Sequence, residues 1–443
     1  MVVVEPSLVG PAASGTPRPR RRWRRLAVLG VGLVLALVIP GWLVADAGRS
    51  VDGVWLPESI AAYAQFTDAA ESDPAGTALL LYSSGNWEVF DTYQDLALGV
   101  DGRSYRQIAS ARVKTAAGAS RHTFLAPDGA SVLISDPASD GRPLTTVDLR
   151  TGATRDIPIA AGAGVMALAW SPDLRTVALA VAGPGPDPNL SYIRAGTLTL
   201  LDLRTGTLTP LPGLGDSVVA AAWSPDSREL AVQAIVANDV SRATVTTRAV
   251  VVDATGSLRR ELPIPTGLGL LQYVAWSPDG RWIAMASYTN QGYPAEWQNP
   301  DGSGRRDLVL VDATGDGRTG PAMTVGPTVL GWLGPDRLLQ LEYTKGFDRG
   351  VVLSELSLAD GQARRLAAFE SSHACEHFLM PCRTEFTMYA ATGLLPQMKV
   401  RSASWWLDRG PTRLRLLLSA VAIVSWLIGL LVLRWVRRRA ASH

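Results

Sequence analysis

One phrase recurs in this chain at a fixed interval: Ala169-Trp170-Ser171-Pro172-Asp173, Ala222-Trp223-Ser224-Pro225-Asp226 and Ala275-Trp276-Ser277-Pro278-Asp279-Gly280. The tryptophans are 53 and again 53 residues apart, which requires one supersecondary unit folded several times over. Eroded copies flank the three, Leu125-Ala126-Pro127-Asp128-Gly129 at a spacing of 45 and Trp332-Leu333-Gly334-Pro335-Asp336 at 56. A second phrase repeats out of phase with the first: Asp148-Leu149-Arg150-Thr151-Gly152, Asp202-Leu203-Arg204-Thr205-Gly206, Asp253-Ala254-Thr255-Gly256 and Asp312-Ala313-Thr314-Gly315, with Asp360-Gly361 as a worn last copy.

Both phrases are turn chemistry. Proline fixes φ, aspartate offers a side-chain acceptor and glycine accepts φ > 0, the requirements of a tight hairpin. Between them lie short apolar or alternating runs of strand length, among them Thr176 to Val181, Leu198 to Leu203, Glu229 to Ile235 and Trp282 to Ala286. Each unit therefore holds four strands, a to d, with the Trp phrase joining a to b and the Asp-Thr-Gly phrase joining c to d. Four-stranded units of this length, repeated radially, are propeller blades.

The Trp-Ser-Pro-Asp-Gly phrase resembles the WD40-like repeat of the TolB-type β-propeller family over roughly residues 77–391. Similar blades occur in prolyl-oligopeptidase-type propellers and in some actinobacterial lipoproteins, so the resemblance implies a membrane-anchored protein of that type. The bias to arginine (39 Arg, 3 Lys) and alanine fits a high-GC bacterial source. The expected fold is all-β, a six-bladed propeller, with five to seven blades allowed by the count. Five blades begin near Arg121, Val165, Val218, Leu271 and Thr328. A sixth set of strands, from Thr77, lacks an innermost strand, which Thr384 to Ala391 can supply to close the ring.

Leu26 to Ala45 and Leu416 to Leu433 are apolar runs of 20 and 18 residues, about 27–30 Å as helices and so matched to a bilayer core. Six arginines precede the first run and four follow the second, which by the positive-inside bias puts both termini in the cytoplasm and the middle of the chain outside the plasma membrane. The expected organisation is a basic tail (1–25), a transmembrane helix or signal anchor (26–45), a linker (46–76), the propeller (77–391), a juxtamembrane linker (392–413), a second transmembrane helix (414–433) and a basic tail (434–443). Ala45-Asp46-Ala47 also resembles a signal-peptidase site, and cleavage there leaves one span. A chain entering at strand b and leaving after strand a has both propeller ends on the face of the a–b turns, the face expected to look toward the membrane.

The net charge of +2 hides an acidic ectodomain: without the two tails, 32 basic residues stand against 39 acidic ones. That excludes nucleic acid as a partner and leaves the arginine clusters as topology signals.

Loops on a rigid scaffold carry most binding sites. The longest loops join strands b and c, and their aromatic and polar residues make Tyr192, Arg194, Tyr288, Asn290, Tyr293 and Trp297 the candidate binding set, with solvated loops folded on the blade as the plain alternative. Between His373 and Cys382 lie both cysteines and two of the four histidines. A Cys375–Cys382 disulfide suits an oxidising exterior; a zinc or copper site from His373, Cys375, His377 and Cys382 is the alternative. The string His373-x-x-Glu376-His377 also matches a peptidase motif, but it lacks the distal ligand that motif needs. No phosphate-binding loop or nucleophile elbow is present, no cofactor is expected, and the inner strands of the Trp blades are nearly free of ionisable groups. The expected function is a binding or scaffolding module of the cell envelope, with an envelope protein as partner; a propeller hydrolase or lyase, or a glycan-binding protein with its site in the central channel, is the alternative.

Overall fold

A computed structural model describes residues 52–439 apart from 62–66, 87–91, 113–120, 137–141, 183–195, 212, 215–216, 240–243, 266, 288–304, 321, 344–350, 371–386 and 403–410. The chain divides into two units, Ser50–Arg413 and one that includes Leu414–His443.

The first unit is a six-bladed propeller. Blade 2 takes its strands a to d from His122–Leu125, Ser131–Ser135, Leu144–Asp148 and Thr154–Ile157, blade 3 from Gly164–Trp170, Thr176–Ala182, Thr197–Asp202 and Leu208–Pro210, and blade 4 from Val218–Trp223, Glu229–Asp239, Thr244–Asp253 and Leu258–Leu262. Blade 5 is Leu268–Leu270, Trp282–Ser287, Arg306–Asp312 and Met323–Val325, and blade 6 is Thr328–Gly334, Arg337–Tyr343, Val351–Ser357 and Ala363–Glu370. Blade 1 is built from both ends of the sequence: Met388–Ala390 is its innermost strand, followed by Ala78–Asn86, Thr92–Gly99 and Tyr105–Gln107. The closing strand lies inside the segment that the missing strand of the first blade had pointed to.

The two phrases make the turns their chemistry requires. In the a–b turn of blade 5, the Ser277 hydroxyl donates to Asp279 at 2.6 Å and accepts the Trp282 N–H at 2.9 Å, and Gly280 sits at φ +70°. The same bonds recur at Ser171 and Ser224, where Leu174 and Ser227 occupy the left-handed position instead of glycine. In the c–d turn of blade 2, Asp148 accepts the N–H groups of Arg150 and Thr151.

Apolar clusters lie between neighbouring blades, because each blade has two faces and only adjacent blades can cover both. Trp170, Trp223, Trp276 and Trp332 are all buried there, at 5–7% exposure. The Trp276 and Trp332 indoles donate back to the preceding blade, to the carbonyls of Ala222 (3.0 Å) and Val274 (2.8 Å).

The segment before the first blade also joins the sheets. Val54–Pro57 pairs in parallel with Met398–Arg401, so the two ends of the propeller run side by side. Ser59–Ala61 adds in parallel to the outer edge of blade 6, and Ala69 bridges Gln107 at the outer edge of blade 1. The junction between the last blade and the first is thus held from the inside by the C-terminal strand and from the outside by the N-terminal segment.

In the second unit, Pro411–Arg439 is one helix, α1, of 29 residues. None of its described side chains is buried, and Val421, Val424, Leu427, Ile428 and Leu431 are each about half exposed or more. Among the described residues no helix is long and apolar enough to cross a membrane; the side chains of 411–418, 432–433 and 436–437 fall outside that description.

Candidate functional site

The innermost strands of a propeller surround a central channel, and here a side chain reaches across it. Strand a of blade 5 pairs Leu270 with Met285 and meets strand b again at Trp276 with Ile283, six steps along one strand against two along the other. The extra residues, 272–274, leave the ladder, while the main chains of Leu271 and Ala275 still bond to Ala284 of strand b. At their apex the Val274 N–H bonds to the Gln272 carbonyl around Tyr273, which is held at φ +47°, a conformation that costs a bulky residue on the order of 1–3 kcal/mol. The Tyr273 N–H is satisfied by the Ala221 carbonyl of blade 4 at 2.9 Å.

This bulge carries the Tyr273 ring to the far side of the ring of blades. It meets Phe124 of blade 2 edge-on at 5.4 Å and Tyr389 of blade 1 at 5.3 Å; Phe124 and Tyr389 are themselves 4.8 Å apart, edge-to-face. The Tyr273 hydroxyl points at the Met388 carbonyl, 3.5 Å away. Blade 5 lies opposite blade 2 in a ring of six, so this aromatic cluster closes the channel at that level.

His122 continues the cluster. Its Nε2 is 2.6 Å from the Tyr389 hydroxyl and its Nδ1 is 3.3 Å from Ser135 Oγ. Burial pushes the imidazole down to about 4 and the Tyr389 phenol up, so near neutral pH the histidine is uncharged and the phenol keeps its proton. Either tautomer satisfies both contacts: Tyr389 donates to Nε2 while Nδ1 donates to Ser135, or Nε2 donates to Tyr389 while Ser135 donates to Nδ1. An imidazole so weakened is a poor general base at neutral pH.

Behind Tyr389 lies Asp95, on strand c of blade 1 and 3% exposed. Burial raises its carboxyl to about 6, with hydrogen bonds from Ser83 and Thr123 working against the rise. Arg121, next to His122 and also buried, donates to the Pro143 carbonyl and to Thr145 Oγ1 at 3.4 Å, and desolvation lowers its pKa.

Tyr192, Arg194, Tyr288, Asn290, Tyr293 and Trp297 lie outside the described residues, as do His373, Cys375, His377 and Cys382. Among the described residues no group of three or more His, Cys, Asp or Glu is placed to hold a metal ion. The inner strands of the Trp blades carry almost no ionisable group and so give no sign of the channel residues. Arg121-His122-Thr123-Phe124-Leu125 stands at the same phase as Met166 to Trp170, so the eroded phrase of blade 2 marks an inner strand that carries a histidine.

No protein-family model matches the chain, and no curated protein matches it. Among solved structures it is similar to TolB from Acinetobacter baumannii, at 15% identity over 65% of this chain with a TM-score of 0.43; the match spans 63% of that TolB. It is also similar to an oligogalacturonate lyase in complex with manganese, at 17% identity over 68% of this chain and 77% of the lyase, with a TM-score of 0.44. An oligogalacturonate lyase from Vibrio parahaemolyticus is 15% identical over 72% of this chain and 80% of its own, with a TM-score of 0.42.

Proposed function

We propose that this chain is a membrane-anchored propeller on the outer side of the plasma membrane that works as a binding or scaffolding module for an envelope protein. The observation that carries the reading is the crossing of the channel by Tyr273: an aromatic cluster joining blades 1, 2 and 5 fills the place where a channel substrate would sit. Binding then falls to the segments that join strands b and c, where the sequence offers Tyr192, Arg194, Tyr288, Asn290, Tyr293 and Trp297. The anchor is supported by the uncharged run Leu416–Leu433 within α1 and by the apolar side chains that α1 leaves exposed, which water alone does not favour. The arginines beyond that run suit a cytoplasmic end.

A photo-activated amino acid placed at Tyr293 and irradiated in intact cells tests it. Repeated capture of one envelope protein, lost when the label is moved to the buried Leu133, is the expected result. Absence of any captured protein from Tyr293 and from Tyr192 alike would overturn the scaffold reading.

A second reading, a hydrolase or lyase acting at the channel, is favoured by one contact, the 2.6 Å pair of His122 and Tyr389 beside a carboxyl that titrates near 6. Turnover of an oligosaccharide or peptide by the full-length chain that disappears in both His122→Gln and Tyr389→Phe would establish it; turnover unaffected by either excludes this site.

A further inference from the structure

The blades can be compared with one another position by position, because their strand registers coincide. Arg155, Arg260 and Arg364 occupy the same place on strand d of blades 2, 4 and 6, each opposite the residue two before the head of the c–d turn: Thr146, Val251 and Glu355. In blade 4 the arginine is held by a carboxylate. Glu229, first residue of strand b, receives Arg260 in a two-pronged pair at 2.9 and 2.7 Å, Arg260 Nε donates to the Ala313 carbonyl of blade 5, and the guanidinium lies 6.0 Å from the centre of the Trp276 ring. In blade 6, Arg364 pairs with Glu355.

Blade 2 repeats the arrangement with one part missing. Arg155 donates to the Leu203 carbonyl of blade 3 at 2.9 Å, the counterpart of Ala313, and the next tryptophan is Trp170. The residue in the place of Glu229 is Ser131, and among the described residues no carboxylate pairs with Arg155. The consequence is a cleft of about 300 Å³ between blades 2 and 3, lined by Ser131, Arg155, Trp170, Leu174 and Leu203, with Asp128 and Asp148 also on its wall. The Trp170 and Trp223 indole N–H groups are both buried without a hydrogen-bond partner among the described residues, whereas those of Trp276 and Trp332 donate to main-chain carbonyls, so the cleft is marked by Arg155 and Ser131 rather than by the indole.

We propose that this cleft is a binding site for a carboxylate, which takes the place that Glu229 fills in blade 4 and pairs with Arg155 beside the Trp170 indole. A guanidinium presents donors in a fork that matches a carboxylate, and the exposed Arg155 is open to a ligand from solvent. Asp128 and Asp148 repel a second negative charge; Asp128 already faces Arg150 at 3.7 Å and Asp148 is occupied by main-chain N–H groups. The ligand is therefore a monocarboxylate with a small apolar body that can lie on Leu174 and Leu203. A free acid and the glutamate side chain of a peptide share that chemistry. The inference concerns a different part of the propeller from the rim loops and the channel and does not depend on either reading above.

The test is fluorine NMR on the full-length chain in detergent, with 4-fluorophenylacetate as one probe and a capped hexapeptide containing one glutamate and one 4-fluorophenylalanine as the other. Line broadening is expected with at least one probe, weakened about tenfold or more in Arg155→Ala and in Ser131→Glu, which supplies the missing carboxylate from within. Ser131→Ala should stay within about twofold of the parent chain. Ser131→Glu is also expected to raise the melting temperature, so that loss of binding in it does not come from unfolding. A response to 4-fluorophenylacetate alone identifies a free acid, and a response to the peptide alone identifies an acidic side chain. Broadening by neither probe, broadening unchanged in Ser131→Glu, or equal broadening by uncharged 4-fluorophenylacetamide would overturn the proposal.

Discussion

His122 and Tyr389 stand 267 residues apart in sequence and 2.6 Å apart in space. Tyr389 belongs to the strand that closes the ring and His122 to the blade beside it, so this hydrogen bond forms only when the closing strand is seated beside blade 2.

Two buried groups near this bond give the propeller opposed pH dependences. His122 is lowered from 6.5 to about 4, so the unfolded chain binds the extra proton and stability is lost as pH falls from about 6.5 through about 4. Asp95 is raised from 3.8 to about 6, so the folded chain holds the extra proton and stability is lost as pH rises from about 4 through about 6. In the parent chain the two slopes largely cancel between pH 4 and 6. In His122→Gln the stability should fall by about 3 kcal/mol as pH rises across that window, and in Asp95→Asn it should fall by a similar amount as pH drops across it. Urea unfolding at a series of pH values reads both slopes; parallel curves for the two variants would contradict the assignment.

Tyr273 should be tolerant of one change and not of another. Tyr273→Phe keeps the ring and loses only a long contact to the Met388 carbonyl, so it should cost less than about 1 kcal/mol. Tyr273→Ala removes the ring contacts to Phe124 and Tyr389 while keeping a side chain at positive φ, and should cost about 3–4 kcal/mol. Thermal unfolding of the two variants side by side measures the difference.

The pair between Glu229 and Arg260 is half-buried and two-pronged. Glu229→Gln should destabilise the propeller by about 1 kcal/mol, less at high salt, because both side chains keep part of their surface in water. The same unfolding midpoint measured at low and at molar salt should show the gap narrowing.

The closing strand is sensitive at its end. The Ala391 N–H donates to the Leu79 carbonyl at 2.9 Å and the residue is fully buried. Ala391→Pro removes that donor and adds bulk, for an expected cost of about 3 kcal/mol or more. Limited proteolysis should then cut blade 1 before the others; uniform resistance would argue that the outer staple alone holds the ring.

Much of this architecture can be read from turns, because Ser-Pro-Asp and Asp-Thr-Gly act locally: the hydroxyl of Ser277 and the carboxylate of Asp279 need no distant partner to form their turn. Six blades and the closing strand follow from counting them. The bulge at 272–274 is not legible in this way. Leu-Leu-Gln-Tyr-Val-Ala-Trp has the apolar character of its sister strands, and only the pairing of Leu270 with Met285 shows that residues have been expelled from the ladder. The strands at Val54–Pro57 and Ser59–Ala61 fall in a stretch read as linker, because they are short and their partners lie more than 300 residues away. Arg155 looked like one surface arginine among 39; its significance depends on the comparison with Glu229 and Arg260, which needs the register of two blades.

The parallel pairing of Val54–Pro57 with Met398–Arg401 has a mechanical meaning. Because both strands point the same way, tension applied to the chain entering at residue 54 and leaving at residue 401 slides one strand along the other. The load falls on all the rungs of that ribbon at once, where an antiparallel pair gripped at its open end would peel rung by rung. The ribbon is therefore a shear clasp, placed where a pull on the chain at residues 54 and 401 first arrives.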